Sequence, residues 1–272
     1  MTDYHFAARH TLKIKHKDTI AHPGLIPLEF KNAQLRLHNM VEYQMRTKGR
    51  VRLAIVKPRQ VGWSTYILGR GLFRATRTPG FNVFLLTHNK DATGKFLDRV
   101  KLMVKNSPPS ITPGREVENR NELLFDNLSQ YVIGTAGSPD AARSDFTHFF
   151  HGSEITSWEY AEDLMTAIFP LISRALGTEA YLETSSKGQG DYWHNFILDV
   201  VAGKSEFDLF FDPWFNDPDY CVADWEIPEG WQPDDEGREL GIRYNLSLGQ
   251  LRWRELMIVQ LRSLWRFKQE LS

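Results

Sequence analysis

The chain has 272 residues, ordinary hydrophobic and charged fractions for a soluble globular protein, and a net charge of -1 from 33 basic and 34 acidic residues. That length suffices for one large α/β domain, or one domain with a small appendage. A single cysteine, Cys221, excludes an internal disulfide framework and a Cys-rich zinc site and fits a reducing cytosol; residues 1–17 lack the apolar core of a signal peptide, and no apolar run approaches the roughly 20 residues of a membrane span. The balanced charge hides an asymmetry. Residues 9–59 are rich in Lys and Arg (Lys13, Lys15, Lys17, Lys31, Arg36, Arg46, Lys48, Arg50, Arg52), whereas 206–239 is strongly acidic with Arg238 as its one basic residue. The basic stretch reads either as a face for an anionic polymer or as a solvated surface.

In chain order, the spacing of Ala33, Leu35, Leu37, Met40 and Val41 predicts a helix over 33–47. Gln34 in that helix carries an amide that can pair with an adenine edge or simply be solvated. Val51–Val56 reads as a buried strand, and a helix over 64–75 follows it. Between them lies Lys57-Pro-Arg-Gln-Val-Gly-Trp-Ser-Thr65. Strand, tight loop, then Gly-x-Ser at a helix start is the layout of a phosphate-binding P-loop, G-x-x-x-x-G-K-[ST] in its usual form. Here Lys57 stands at the first glycine and Trp63 at the lysine. A lysine on a long stem can reach the β/γ-phosphates from the loop's opening position. The predicted nucleotide contacts are therefore Lys57, Arg59, Gln60, Val61, Gly62, Trp63, Ser64 and Thr65, with the Ser64 hydroxyl on Mg²⁺. Replacing Trp63 by Lys is expected to restore the usual loop.

A second buried strand is predicted at 82–87, a helix over 91–105, a loop over 106–120, and a hairpin pairing 123–125 with 131–134 about Asp126-Asn127. The small-residue loop 134–144 contains one cation, Arg143, either an arginine finger for a transferring phosphoryl group or an ordinary ion-pair partner. The apolar run Phe146–Phe150 predicts a strand leading into His151-Gly-Ser-Glu154. A buried strand ending in a carboxylate is where P-loop ATPases hold the group that activates water, so Glu154 is the candidate base. Ser153 precedes it where an aspartate is usual, so any Mg²⁺ contact there is expected to be weak or through water. His148 and His151 are read as packing or hydrogen-bonding residues, not metal ligands.

Further along, a helix is predicted over 159–175, a strand over 180–184, a helix over 191–203 and a last strand over 207–211. The segment Leu182-Glu-Thr-Ser-Ser-Lys-Gly188 ends a strand in hydroxyls. Glu183, Thr184, Ser185 and Ser186 either sense the γ-phosphate or form a polar turn. After about 212 the sequence becomes Pro-broken and acidic. Its aspartates, Asp208, Asp212, Asp217, Asp219 and Asp224, read as a solvated surface or lid. A single helix over 247–270, capped by Ser247, closes the chain. Alternating strands and helices predict an α/β fold with a mainly parallel sheet between helices.

Taken in order, Gln34, Lys57–Ser64, Thr87-His-Asn89, Ala142-Arg-Ser144, His151-Gly-Ser-Glu154 and Glu183–Gly188 resemble the ATPase half of large terminase subunits of tailed bacteriophages, the motors that thread DNA into a procapsid. One branch of that family carries its lysine at the loop's start with an aromatic in the usual place. The resemblance implies a P-loop NTPase of the additional-strand, RecA-like class, using ATP and Mg²⁺. Glu154 would be the catalytic glutamate, Arg143 the finger and Glu183–Ser186 the coupling motif. It implies an ATPase core over 1–205 and a lid or linker over 206–272. The family's nuclease domain begins where this chain stops, so no DNA cleavage is expected from it. Implied partners are double-stranded DNA held without sequence readout, the portal and procapsid, the small terminase subunit, and further copies in a ring, in the host cytoplasm. A helicase-like or remodelling ATPase, or a nucleotide- or DNA-binding module without turnover, are the alternative readings.

Overall fold

The computed structural model describes residues 3–119, 121–137, 146–185 and 190–271. The chain opens with helix α1 (Tyr4–Thr11) and a two-stranded antiparallel ribbon, β1 (Lys13–Lys15) and β2 (Leu25–Pro27). Helix α2 (Asn32–Lys48) ends at Gly49 in the left-handed conformation, the usual glycine stop. Then follow β3 (Val51–Val56), α3 (Trp63–Arg77), β4 (Asn82–Thr87) and α4 (Lys90–Lys105). Next come β5 (Arg115–Glu118), β6 (Glu122–Phe125), β7 (Gln130–Thr135), β8 (Phe149–Ser153), α5 (Ala161–Ile168), β9 (Glu179–Thr184), α6 (Tyr192–Val201) and β10 (Asp208–Phe211). Three helices finish the described chain, α7 (Asp235–Tyr244), α8 (Leu248–Leu261) and α9 (Leu264–Leu271).

Eight strands form one sheet in the order β10-β3-β9-β8-β4-β7-β6-β5. Its first six are parallel, and the β6 and β5 hairpin strands add an antiparallel edge. The P-loop strand β3 and the carboxylate strand β8 are not neighbours, because β9 lies between them. This is the additional strand expected from the sequence. Both faces are covered, so the central strands alternate between two cores. Leu53, Ile55, Phe149 and Tyr181 face α1–α4, whereas Ala54, Phe150, Ala180 and Leu182 face α5 and α6. Parallel strands bring their carboxyl ends to one rim, which gathers the loops after β3, β8 and β9.

Four expectations are corrected. The strand read at 146–150 is β8, 149–153. Phe146 is exposed, and Thr147 makes only an isolated bridge to Ile172. The polar His151 and Ser153 are fully inside the strand, since they face a buried carboxylate instead of solvent. The helix over 159–175 is only α5, because Pro170 lacks the N–H that would continue it and a 3-10 turn follows. The single helix over 247–270 is α8 and α9, broken at Arg262 in the left-handed region (φ 54°). The loop 106–120 contains β5. Also, β10 pairs with β3, so the main sheet extends past 205, and the segment beyond it has its own small core of Trp214, Phe267 and Leu271.

The two charge blocks find each other. Lys17 and Lys31 pair with Asp219, Arg36 with Asp212, Lys48 with Asp208, and Arg50 and Arg52 with Glu206. Six of the nine basic residues noted above are thus engaged within the chain, so that stretch is no free basic face. Among the described residues no helix is long and apolar enough to cross a membrane.

Candidate active site

Beyond Val56 the chain turns through residues 57–62 into α3. Gly62 caps the helix with φ 84°, and a Cβ there would come within 3.0 Å of Gln34 Nε2, so glycine serves both conformation and space. Gln34 is buried and placed against the loop. Its Nε2 donates to Gly62 O at 2.8 Å, and its Oε1 accepts from Lys31 N at 2.9 Å. The amide therefore pins the loop to the first turn of α2. Val61 is buried below the loop, and Thr65 lies half-buried in the first turn of α3. Gln60 takes a left-handed conformation (φ 64°) at the exposed tip.

Trp63 turns away from the rim. It is fully buried, donates its indole N–H to Ala33 O at 2.9 Å, and packs on Phe210 with ring centroids 5.1 Å apart. Lys57 supplies the cation from the other side, its Nζ 3.1 Å from Ser64 Oγ. Displacing the lysine thus leaves the ammonium beside the hydroxyl that opens α3. The expectation that Trp63→Lys restores the usual loop is corrected, because the side chain at 63 points into the core.

Glu183, near the end of β9, is the hub of the rim. Its Oε1 accepts from Ser64 Oγ at 2.6 Å, His151 Nε2 at 3.0 Å and Ser153 Oγ at 3.2 Å, and its Oε2 accepts from Lys57 Nζ at 2.9 Å. Burial pushes this carboxyl up. The charges of Lys57 and His151, with hydrogen bonds from His151 and Ser64, outweigh burial and hold it well below the usual carboxylate range. The sequence shows Glu183 only as a member of a strand-end motif. An acidic residue inside an otherwise buried strand was the available signal, since such a group needs a cation or several donors.

Glu154 follows β8 directly, in a left-handed conformation (φ 57°, ψ 50°) that costs a non-glycine residue about 1–3 kcal/mol. Its N–H donates to Glu183 O at 2.8 Å and its carbonyl accepts from Ser157 N at 2.8 Å, which hold the strained turn in place. The carboxylate is partly exposed, 3.8 Å from Lys57 Nζ. It reaches the rim without being consumed by a close hydrogen bond to the lysine. Thr184 O accepts from Lys57 N at 3.2 Å, and Thr184 Oγ1 meets Thr156 Oγ1 at 2.7 Å, tying β9 to the loop and to the turn after Glu154. Ser185 is buried beside them. Thr156 was not foreseen from the sequence. Arg143 and Ser186 lie outside the described residues.

Arg59 faces the C-terminal helices instead of the rim's centre. Its guanidinium pairs with the Glu270 carboxylate, its N–H donates to Glu270 O at 3.2 Å, and the Tyr220 hydroxyl donates to its carbonyl. Residues 212–271 are thereby fastened to the loop itself, a contact over 200 positions long that no local pattern announces.

The arrangement can hold an anion between Lys57 and the start of α3, and it offers Glu154 to a water above it. Among the described residues no group of three or more His, Cys, Asp or Glu is placed to hold a metal. Ser64 and Ser153 are the hydroxyls that suit Mg²⁺, a hard cation that keeps much of its coordination for phosphate and water.

Among solved structures the chain is similar to the large terminase ATPase domain of Thermus phage P74-26, at 19% identity and TM-score 0.54, over 89% of this chain and 92% of that one. It is similar to the large terminase of bacteriophage HK97 at 11% identity and TM-score 0.66, over 99% of this chain and 53% of that one. A large terminase from a thermophilic bacteriophage, in complex with ATP-gamma-S, aligns at 12% identity and TM-score 0.52, over 72% of this chain and 47% of that one. At such identities the likeness is one of fold, and it is the P-loop, RecA-like fold expected from the sequence. No protein-family model matches the chain, and no curated protein does.

Proposed function

We propose that this chain is the ATPase part of a DNA-packaging motor of the large-terminase type, in which ATP hydrolysis drives double-stranded viral DNA into a procapsid. The observation that carries the reading is the convergence of Lys57 Nζ and Ser64 Oγ at 3.1 Å, with the Glu154 carboxylate 3.8 Å from the same ammonium. The similar terminase in complex with ATP-gamma-S supports ATP as the ligand.

In this reading the polyphosphate rests on backbone N–H groups of residues 60–65 and on the Lys57 ammonium. Ser64, with Ser153 directly or through water, holds Mg²⁺, which when bound draws charge off the phosphates. Glu154 orients and polarises the attacking water, and its strained backbone fixes the carboxylate's direction. Gln34 positions the loop under the nucleotide; pairing with the base edge would require its amide to leave Gly62 O and Lys31 N. Glu183–Ser186 form the coupling segment: Lys57 N on Thr184 O and Glu154 N on Glu183 O make β9 move with both halves of the site. Residues 212–271, beyond β10, form a lid that reports this through Arg59 and Glu270. Arg143 acts as a finger, from a neighbouring subunit of a ring. DNA is held by its phosphates, without sequence readout, and the portal and small terminase subunit are the protein partners, in the host cytoplasm.

ATP turnover measured alone, with linear DNA, and with DNA plus procapsids tests the proposal. The expected result is slow basal hydrolysis raised by DNA and again by procapsids. Absence of ATP binding refutes the nucleotide assignment, and turnover indifferent to DNA points to another class of P-loop ATPase.

A further inference from the structure

Strand β8 ends in a serine where an acid is usual beside a catalytic glutamate, yet a carboxylate occupies that depth of the site. It comes from the neighbouring strand: Ser153 and Glu183 are direct partners in the parallel register of β8 and β9. We propose that Glu183 is the metal-supporting carboxylate of this site, standing in for the acid that β8 lacks. This deepens the nucleotide-binding reading above and rests on it.

Three observations point the same way. Glu183 is completely buried, and one of its oxygens gathers the hydroxyls of Ser64 (2.6 Å) and Ser153 (3.2 Å). Two hydroxyls and a carboxylate at one point form a hard, all-oxygen donor set, which suits Mg²⁺ over softer metals. The other oxygen is occupied by the Lys57 ammonium at 2.9 Å. A buried carboxylate requires a cation, and here that cation is also the one the phosphates need. When a polyphosphate takes the ammonium, Glu183 loses its ion partner at Oε2 and keeps only His151 and the two hydroxyls, so a second cation is favoured in the lysine's place. Lys57 and Mg²⁺ are therefore alternative partners of one carboxylate, and nucleotide and metal bind cooperatively. His151 Nε2 at 3.0 Å keeps the carboxylate aimed throughout the exchange, as outer hydrogen bonds do for metal-bound carboxylates.

A purely structural Glu183, whose task is to aim Lys57, is the competing account, and the two differ in a quantity other than turnover. Mn²⁺ bound in the presence of ATP-gamma-S is counted by electron paramagnetic resonance on wild type and Glu183→Gln. ATP-gamma-S affinity is measured on both proteins in excess Mg²⁺ and in EDTA. The expected result is about a 10-fold or greater loss of Mn²⁺ affinity in Glu183→Gln, with nucleotide affinity in EDTA kept or raised, because the ammonium no longer has to leave a charged partner. Mn²⁺ affinity close to wild type overturns the proposal, as does nucleotide affinity that falls equally with and without metal. Should wild type bind no nucleotide under either condition, the ATP reading itself fails, an outcome distinct from both. If Glu183→Gln does not fold, Glu183→Cys is measured with Cd²⁺ against Mn²⁺. A metal preference shifted toward Cd²⁺ relative to wild type, which already contains Cys221, supports the assignment, and an unchanged preference overturns it.

Discussion

Lys57 and Ser64, seven residues apart, meet ammonium to hydroxyl at 3.1 Å across the mouth of the loop. In a usual P-loop the lysine rides on the first turn of the helix. Here it rides on the end of β3, and the helix position is given to Trp63, whose indole is locked to Ala33 and Phe210. The site thus separates two tasks that one segment commonly shares: the strand end carries charge, and the helix start carries packing.

Removing the ammonium should therefore have two effects. Lys57→Ala is expected to lower ATP turnover by about 10²-fold or more, because among the described residues no other cation is bonded to the Ser64 hydroxyl. It also leaves Glu183 buried without its ion partner, which costs about 3–5 kcal/mol when one member of a buried pair is removed. The double variant Lys57→Ala/Glu183→Gln should melt above Lys57→Ala while staying inactive. Thermal melts and turnover on the three proteins check this. Wild-type turnover in Lys57→Ala would mean that Arg59 or another cation supplies the charge.

Trp63→Lys looks like a repair on paper and should act as a lesion. It removes a fully buried indole, a loss of about 3–5 kcal/mol for large-to-small changes at such sites, and leaves an ammonium among apolar side chains. The expected result is a lower melting temperature and no rescue of Lys57→Ala. Restored turnover in the double variant would show that the helix can rotate residue 63 toward the phosphates.

Much of this was legible because local and tertiary demands agree. The runs 51–56 and 82–87 are bounded by turn residues and buried on both faces, so strand was the only economical reading. The loop and Glu154 announced themselves by position after such strands. What stayed hidden was non-local. Glu183 meets Lys57 across 126 positions and Ser153 across 30, and Glu270 meets Arg59 across 211. The slip at β8 has the same origin: His151 and Ser153 look like the polar end of a strand until their shared buried partner is known. Likewise, Arg262 breaks the last helix without a glycine or proline to mark it.

Glu154→Gln preserves the size of the side chain and cannot accept a proton. Nucleotide should still bind while hydrolysis falls by about 10²-fold or more. Because the left-handed backbone at 154 is held by main-chain hydrogen bonds, the substitution should leave the melting temperature nearly unchanged. Turnover within a few-fold of wild type would remove Glu154 from the role of base.

Acidification should lower stability in two stages, and the groups responsible can be named. Burial lowers the pKa of His38 and His148 from the ordinary 6.5, Arg70 and Arg74 respectively adding to it, so folding favours the neutral form of both rings. Their contribution is complete above 6.5 and is lost as the pH falls through the folded values. Glu179 opens β9 at the end away from the rim, bonded to Arg70 at 2.6 Å. Burial pushes its carboxyl up, but Arg70 and Arg74 outweigh that and hold it below the ordinary 4.5, as Lys57 and His151 do for Glu183. The folded state therefore binds fewer protons than the unfolded chain, so both carboxylates stabilise fully above 4.5 and lose that effect as the pH drops toward their folded values. The melting temperature should decline gently below 6.5 and steeply below 4.5. Glu179→Gln discriminates: it should lower the melting temperature at neutral pH, at a cost of about 3–5 kcal/mol for a broken buried pair, and make the acid limb shallower. An acid limb as steep as wild type in that variant would mean that the buried Glu179–Arg70 pair is not what acid breaks.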